Sequence, residues 1–430
     1  MNIAELYNIY LQHPKVITDS RQIEKGCLFF ALKGERFNGN KYAKAALEQG
    51  ASYAIIDEKE YRENSGCILV HNVLETLQAL ANYHRLQLDI PVIGITGSNG
   101  KTTTKELVST ILATKYRTAF TKGNFNNHIG VPLTLLAIPT DTEIAVVEMG
   151  ANHQGEIDFL CEIAEPTHGI INNIGKAHLE GFGGIEGIKK GKAELYSFLT
   201  GHEGMAFINT DLPFLKELAN ERNLRNRIEY NHKKGQDYSI ELLSVEPFVF
   251  FKIKEKHEAI EVKSQMIGAY NFDNILSAIS LGKHFEISNE QIKTAIEGYI
   301  PQNNRSQIVK KGSNTFILDA YNANPTSTQH AVEHFRTIQN ESKIVILGDM
   351  LELGEDSSAE HQMMADLVAA LNFNQVILVG PEYQTAAKSI DCLHFENVHL
   401  LKKWFAPKAF ENTYFLIKGS RGIRLEELLK

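Results

Sequence analysis

The spacing of apolar residues changes character at two points along the chain, and those points divide it. Through 73–88 apolar positions recur at helical intervals. Leu88-Asp89-Ile90-Pro91 then gives way to Val92-Ile93-Gly94-Ile95, a short apolar run of the kind that forms a buried strand. The second break is Ile300-Pro301-Gln302-Asn303-Asn304-Arg305, a hinge between a helix-like stretch and the next apolar run. Beyond it the pattern predicts strands at 315–318, 344–347, 376–379 and 415–417, with helices over 327–339 and 359–371. Strand and helix in alternation make a mainly parallel, helix-covered sheet.

Between the hinges, short mixed runs at 239–242, 248–253 and 259–262 read as antiparallel strands appended to a central unit. The first 88 residues carry a strand at 27–32 and a helix over 42–49. The predicted fold class is therefore α/β in three domains. A small α/β domain spans 1–88, and a central domain with a mainly parallel sheet plus a small antiparallel one spans 89–304. A Rossmann-like α/β domain spans 305–430.

Composition narrows the partners rather than the fold. At 43% hydrophobic and 22% charged residues, the chain has the balance of a globular protein. No apolar run approaches the roughly 20 residues that span a bilayer, and Met1-Asn2-Ile3-Ala4-Glu5 lacks the basic start of a signal peptide, so a cytoplasmic address and no membrane are expected. The net charge of −8, without a basic stripe, argues against a nucleic-acid partner. Cys27, Cys67, Cys161 and Cys392 form no CxxC pair, which disfavours a disulfide framework or a zinc site.

The chemistry is concentrated after the first break. Val92-Ile93-Gly94-Ile95-Thr96-Gly97-Ser98-Asn99-Gly100-Lys101-Thr102-Thr103-Thr104 is an apolar strand, a glycine-rich loop and a helix start in succession, which is a P-loop in its physical context. Small residues let backbone N–H groups face phosphates, Lys101 supplies charge and Thr102 a hydroxyl for Mg²⁺. The spacing departs from the usual one, because Ile95 stands where the first glycine is expected, flanked by Gly94 and Gly97. The plainer alternative is a strand-to-helix turn that carries Lys-Thr by chance.

Three more residues bear on a metal site. The apolar run at 144–147 ends at Glu148, which either offers a carboxylate at the ligand-binding end of a sheet or terminates a strand in solvent. His178 follows the apolar run at 170–171 by a short turn and by itself reads as an ordinary loop residue. Ile185, Ile188, Leu195 and Leu199 describe one face of a single helix over 185–199, and Lys192 falls on that face while Lys190 does not. Either the Lys192 amine snorkels to water, or it is a functional amine able to go neutral and take up carbon dioxide as a carbamate.

With these pieces in place, the chain resembles the Mur ligases over essentially its whole length. The resemblance rests on Thr96-Gly97-Ser98-Asn99-Gly100-Lys101-Thr102-Thr103, Asn124-Phe125-Asn126-Asn127-His128-Ile129-Gly130-Val131-Pro132, Glu148-Met149-Gly150-Ala151, Gly175-Lys176-Ala177-His178, Gly191-Lys192-Ala193-Glu194 and Tyr270-Asn271-Phe272-Asp273-Asn274. It implies that Gly97, Ser98, Asn99, Gly100, Lys101, Thr102 and Thr103 bind ATP phosphates, with Asn271 and Asn274 near the adenine. It also implies that Arg305 meets the phosphates and Asp319 the ribose side, although Arg305 by itself reads as a surface arginine. Thr102, Glu148, His178 and a carbamoylated Lys192 would hold two Mg²⁺ ions, and Lys101, Lys192, His178 and Arg305 would serve the chemistry.

The ends of the chain sharpen the expectation. Asp19-Ser20-Arg21 and Gly26-Cys27-Leu28-Phe29-Phe30-Ala31-Leu32-Lys33-Gly34 resemble a uridine-diphosphate domain, with Asn38-Gly39-Asn40 in place of the more usual Asp-x-His. Asp319-Ala320-Tyr321-Asn322-Ala323-Asn324-Pro325, the segment 347–354 and Lys418-Gly419-Ser420-Arg421 resemble the branch that adds D-alanyl-D-alanine, and the Asp-Asn-Pro-Arg motif of diaminopimelate-adding members is absent. Ser20, Arg21, Asn126, Asn127, Tyr321, Asn322, Asn324 and Arg421 are the implied substrate contacts. The implied activity is ATP-dependent amide-bond formation between UDP-N-acetylmuramoyl-tripeptide and D-alanyl-D-alanine by a monomer. The rivals are a diamino-acid-adding or folylpolyglutamate-type ligase and, in a different class, a P-loop ATPase switch.

Overall fold

Val92–Thr96 is buried at all five positions and forms the strand predicted ahead of the glycine turn. In the computed structural model, which describes residues 1–63, 65–232, 238–256 and 258–430, this strand sits inside a six-stranded sheet. The order is Arg227–Tyr230, Met205–Asn209, His168–Ile171, Val92–Thr96, Ile144–Glu148 and Thr118–Phe120, parallel throughout. Helices cover both faces, so Ile144–Glu148 is likewise buried at every position and reads as a continuous apolar run. Successive strands build outward on opposite sides of Val92–Thr96. Such a reversal leaves a crevice at the carboxyl ends of the strands, where α/β sheets take their ligands.

Strands Tyr238–Ser244, Phe250–Glu255 and Glu258–Lys263 make the small antiparallel sheet predicted for this unit. The front of the chain is a four-stranded parallel sheet of Val16–Ile17, Leu28–Phe30, Tyr53–Ile56 and Cys67–Leu69. Its helix Val73–Gln87 leans on the central unit, where the Arg85 guanidinium donates to the carbonyls of Ala164 and Glu165 at 3.0 and 2.9 Å. Tyr10 reaches the same unit through a 2.7 Å hydrogen bond to the Leu136 carbonyl.

The last third is a six-stranded sheet ordered Gln307–Lys311, Asn314–Asp319, Tyr414–Lys418, Lys343–Gly348, Gln375–Val379 and Leu393–Phe395. All neighbours run parallel except the first pair. Gln307–Lys311 was not predicted. It is a half-polar edge strand whose Gln-Ile-Val-Lys-Lys pattern carries little apolar signal, and it exists because it pairs with the buried strand Asn314–Asp319.

One predicted element is corrected. The single helix over 185–199 is two, Ile185–Lys192 and Glu194–Gly201, hinged at Ala193. Ile188, Lys192, Leu195 and Leu199 are buried as expected, but Ile185 at the free start of the first helix is 39% exposed. Among the described residues no helix is long and apolar enough to cross a membrane.

Candidate active site

The loop from Gly97 to Gly100 wraps toward the first turn of helix Lys101–Leu112, leaving the N–H groups of that turn pointing out of the sheet. Gly97 and Gly100 take φ of 142° and 76°, conformations that L side chains rarely adopt. A Cβ on Gly100 would sit 2.3 Å from Asn274 Oδ1. That contact is fixed from behind, because Thr104 Oγ1 donates to Asn274 Oδ1 at 3.1 Å and Asn274 Nδ2 donates to Asn271 Oδ1 at 2.9 Å. The two asparagines expected near the adenine thus also brace the phosphate loop.

Lys101 Nζ donates to the carbonyls of Gly97 and Ser98 at 2.6 and 3.2 Å, so the ammonium caps its own loop. Burial pulls its pKa down to about 8, Glu148 opposing the shift and Arg305 adding to it. Thr102 Oγ1 donates to Glu148 Oε1 at 3.1 Å, and Asn126 Nδ2 donates to the same oxygen at 2.8 Å. The other oxygen, Oε2, is buried without a hydrogen-bond partner among the described residues. A carboxylate that is 1% exposed and keeps one oxygen unsatisfied beside a hydroxyl fits a divalent cation. Among the described residues no three His, Cys, Asp or Glu side chains form a metal-holding group. A cation here would therefore draw on hydroxyl and phosphate oxygens as well.

Lys192 is 1% exposed, and among the described residues the one hydrogen bond of its amine is a 3.1 Å donation to the Ala151 carbonyl, with the Phe182 ring 4.9 Å away. Burial, reinforced by Lys101, holds its pKa well below the usual lysine range. Glu156 and Glu194 only partly oppose that shift, and the Glu194 carboxylate is turned to the Gly155 and Asp158 N–H groups, from which it accepts at 2.6 and 3.1 Å. These are the surroundings of an amine that can be neutral.

The third unit closes over the loop. Asn324 Nδ2 donates to Asn99 Oδ1 at 2.7 Å. The Arg305 guanidinium stacks 3.6 Å above the Tyr321 ring centroid, its Nε buried and without a hydrogen-bond partner among the described residues. Asp319 accepts from Lys418 Nζ at 2.6 Å and from the Ser306 N–H at 3.1 Å. His178 Nδ1 lies 2.5 Å from Glu352 Oε2, and the contact holds the Glu352 carboxyl below its usual range.

These pieces surround one cavity of about 1000 Å³. Its walls include Ser98, Asn99, Gly100, Lys101, Thr102, Thr103, Asn126, Asn127, Glu148, His178, Asn271, Asn274, Arg305, Asp319, Tyr321, Asn322 and Asn324. Five predicted site residues are not in its walls. Gly97 and Lys192 lie behind the surface. Arg421 is exposed, its guanidinium carbon 5.5 Å from the Tyr321 ring centroid. Ser20 and Arg21 sit in a short 3-10 turn of the front sheet, where the exposed Arg21 guanidinium is held by Asp19 at 2.7 Å. Asn38-Gly39-Asn40 is a packed turn, with Asn40 fully buried and bonded to Asp57 at 2.8 Å.

Sequence reasoning missed Glu352, Thr326, Lys418 and the acid Asp273. Glu352, Lys418 and Asp273 stood inside quoted motifs, but only the tertiary structure reveals that Lys418 and Asp273 line this cavity and that Glu352 meets His178 on its wall. Asp273 lines the wall beside Leu212 and Phe214. Burial first, then Asp211, pushes its carboxyl up to about 6 from 3.8. The folded state therefore keeps a proton that the unfolded chain has lost, and stability falls as pH rises from about 4 through 6. Asp273→Asn is expected to raise thermal stability at pH 8 by on the order of 1–3 kcal/mol and to leave it nearly unchanged at pH 4. Melting curves at the two pH values check this, and an equal gain at both would contradict it.

A phosphate-cradling loop, a buried acid with one free oxygen, a desolvated lysine and a closing third unit are the parts of an enzyme that activates a carboxylate with a nucleotide, and the chain belongs to the Mur ligase family. Residues 15–89 match the family's "Mur ligase family, catalytic domain", 95–282 its "Mur ligase middle domain" and 304–421 its "Mur ligase, glutamate ligase domain". The chain is 35% identical to the UDP-N-acetylmuramoyl-tripeptide–D-alanyl-D-alanine ligase of Bacillus subtilis, over 100% of this chain and 97% of that protein. Among solved structures it resembles MurF from Acinetobacter baumannii, at 32% identity and a TM-score of 0.85, over 96% of this chain and 92% of that one. It resembles equally the MurF ligase of Thermotoga maritima in complex with ADP, at 27% identity and a TM-score of 0.85, over 97% of each chain.

Proposed function

We propose that this protein joins D-alanyl-D-alanine to UDP-N-acetylmuramoyl-tripeptide with ATP, forming ADP and phosphate through an acyl phosphate, as a step in peptidoglycan precursor synthesis. The observation that carries the reading is the convergence of the P-loop, Glu148 and the Tyr321–Asn324 segment on one cavity. The relatives of this length and identity bear the name of that ligase. In the same reading, 1–88 holds the uridine-diphosphate substrate through Ser20 and Arg21, 89–304 holds ATP, and 305–430 holds the incoming dipeptide through Tyr321, Asn322, Asn324 and Arg421.

The tripeptide's terminal carboxylate attacks the γ-phosphorus, the bond to the β-γ bridging oxygen breaks, and ADP leaves. The dipeptide amine then attacks the acyl carbon and phosphate departs. Carboxylate and triphosphate repel each other, so the protein's task is to hold them in line and offset the gathered charge. Lys101, released from the Gly97 and Ser98 carbonyls, faces the phosphates, and Arg305 approaches from the third domain. Thr102, Glu148, His178 and a carbamoylated Lys192 are the residues that would hold Mg²⁺, which supplies charge neutralisation when bound. Closure by the Asn324–Asn99 contact keeps water from the acyl phosphate. A monomer in the cytoplasm, where ATP is at hand and the unbonded cysteines stay reduced, completes the reading.

Phosphate release measured with Mg-ATP, UDP-N-acetylmuramoyl-tripeptide and D-alanyl-D-alanine, each omitted in turn, tests it. All three are expected to be required. Undiminished release without the dipeptide would point instead to a P-loop switch that hydrolyses ATP.

A further inference from the structure

The segment 172–182 is tied down on two sides. Toward the phosphate loop, Ser98 Oγ donates to the Gly175 carbonyl at 3.0 Å and accepts from the Gly175 N–H at 2.9 Å, while the Asn99 N–H donates to Asn173 Oδ1 at 2.9 Å. Toward the third domain, the Lys176 N–H donates to Thr326 Oγ1 at 3.1 Å and the Lys176 ammonium pairs with Glu360. His178 lies between these anchors with φ of 56°, an unfavourable backbone for a residue with a side chain. Its ring is aimed, and something must hold the aim.

The group in reach is Glu352 of the third domain, whose Oε2 is 2.5 Å from His178 Nδ1. The Glu352 loop is itself rigid. The Met350 N–H donates to the fully buried His361 at 3.0 Å, the Leu351 N–H to Ser420 Oγ at 3.0 Å, and Leu353 is 2% exposed. The two loops also approach closely, since a Cβ on Gly354 would come within 3.1 Å of Glu180 Cβ.

We propose that Glu352 is a positioning residue for His178: it draws the ring proton to Nδ1 and leaves Nε2 free to bind a cation, so that docking of the third domain completes the metal site of the central one. A histidine that binds a metal commonly gives its other N–H to a carboxylate, which sets tautomer and orientation. Here the carboxylate comes from a different domain. An open enzyme therefore binds nucleotide on its P-loop but holds the cation loosely, and hydrolysis is discouraged until the domain that carries the second substrate has arrived. The inference rests on the metal role given to His178 above.

Mn²⁺ binding to the full-length protein with ADP, followed by electron paramagnetic resonance, tests it without either peptide substrate. Glu352→Gln is expected to weaken Mn²⁺ binding about tenfold with ADP affinity and melting temperature unchanged. Glu352→Asp, shorter but still anionic, is expected to recover part of the loss. Glu360→Gln removes a different contact of the same interface and is expected to leave Mn²⁺ affinity within about twofold. Unchanged binding in Glu352→Gln overturns the inference alone, as does an equal loss in Glu360→Gln, which would make Glu352 one closure contact among several. A wild-type protein that binds no Mn²⁺ with ADP overturns the metal site as well.

Discussion

Lys192→Ala is expected to lose roughly 10²–10³-fold in turnover, the scale of removing one electrostatic stabiliser of a transition state, and added bicarbonate is expected to restore none of it. Wild-type enzyme depleted of carbon dioxide should lose activity and regain it when bicarbonate returns. The physical basis is the desolvated amine: buried to 1% exposure, bonded to the Ala151 carbonyl and repelled by Lys101, it can reach the neutral form that attacks carbon dioxide. The N–C bond forms, one proton leaves, and a cation becomes an anion able to ligate Mg²⁺. Lys192→Met, close in volume, separates this role from packing and should be as inactive as the alanine variant while melting near the wild-type temperature. Normal turnover by either variant would remove the carbamate from the mechanism.

Glu148→Gln is expected to act in opposite directions on activity and stability. The wild-type carboxylate accepts from Thr102 and Asn126 on one oxygen and leaves the other buried and unpaired. An unsatisfied buried charged group destabilises a fold by about 1–3 kcal/mol or more until a partner arrives. The amide keeps the shape and removes the charge, so the ligand-free protein should melt at the same temperature or higher. Turnover should fall by roughly 10²–10³-fold, and the Mg²⁺ concentration for half-maximal rate should rise. A variant that melts lower and still turns over normally would show that Glu148 is a structural acid.

The phosphate loop was legible because its physics is local. An apolar strand, glycines that tolerate left-handed backbone and a helix start are adjacent in sequence, and Gly100 at φ 76° fills the place its spacing implied. Lys192 was legible as buried because three- and four-residue spacing sets a helix face, even though the helix over 185–199 turned out to break at Ala193. Ile185 misled for the same reason: periodicity continues past the point where packing ends, and the first residue of the helix faces solvent. The edge strand Gln307–Lys311 was invisible, since its reason for being a strand is a partner and not its own pattern.

The amino-acid sequence by itself determined the α/β order of elements, the phosphate loop, and the residue types available for chemistry, because each depends on neighbours within a few positions. Only the tertiary structure decided which of them meet. Asn99 and Asn324, 225 positions apart, are joined by a hydrogen bond. Glu352 reaches His178 through a loop aimed by His361 and Ser420, and Arg21 is kept out of the cavity while Arg305 is brought in. Sheet order and domain docking are set by the burial of apolar surface summed over the whole chain, and no local window of residues contains that sum.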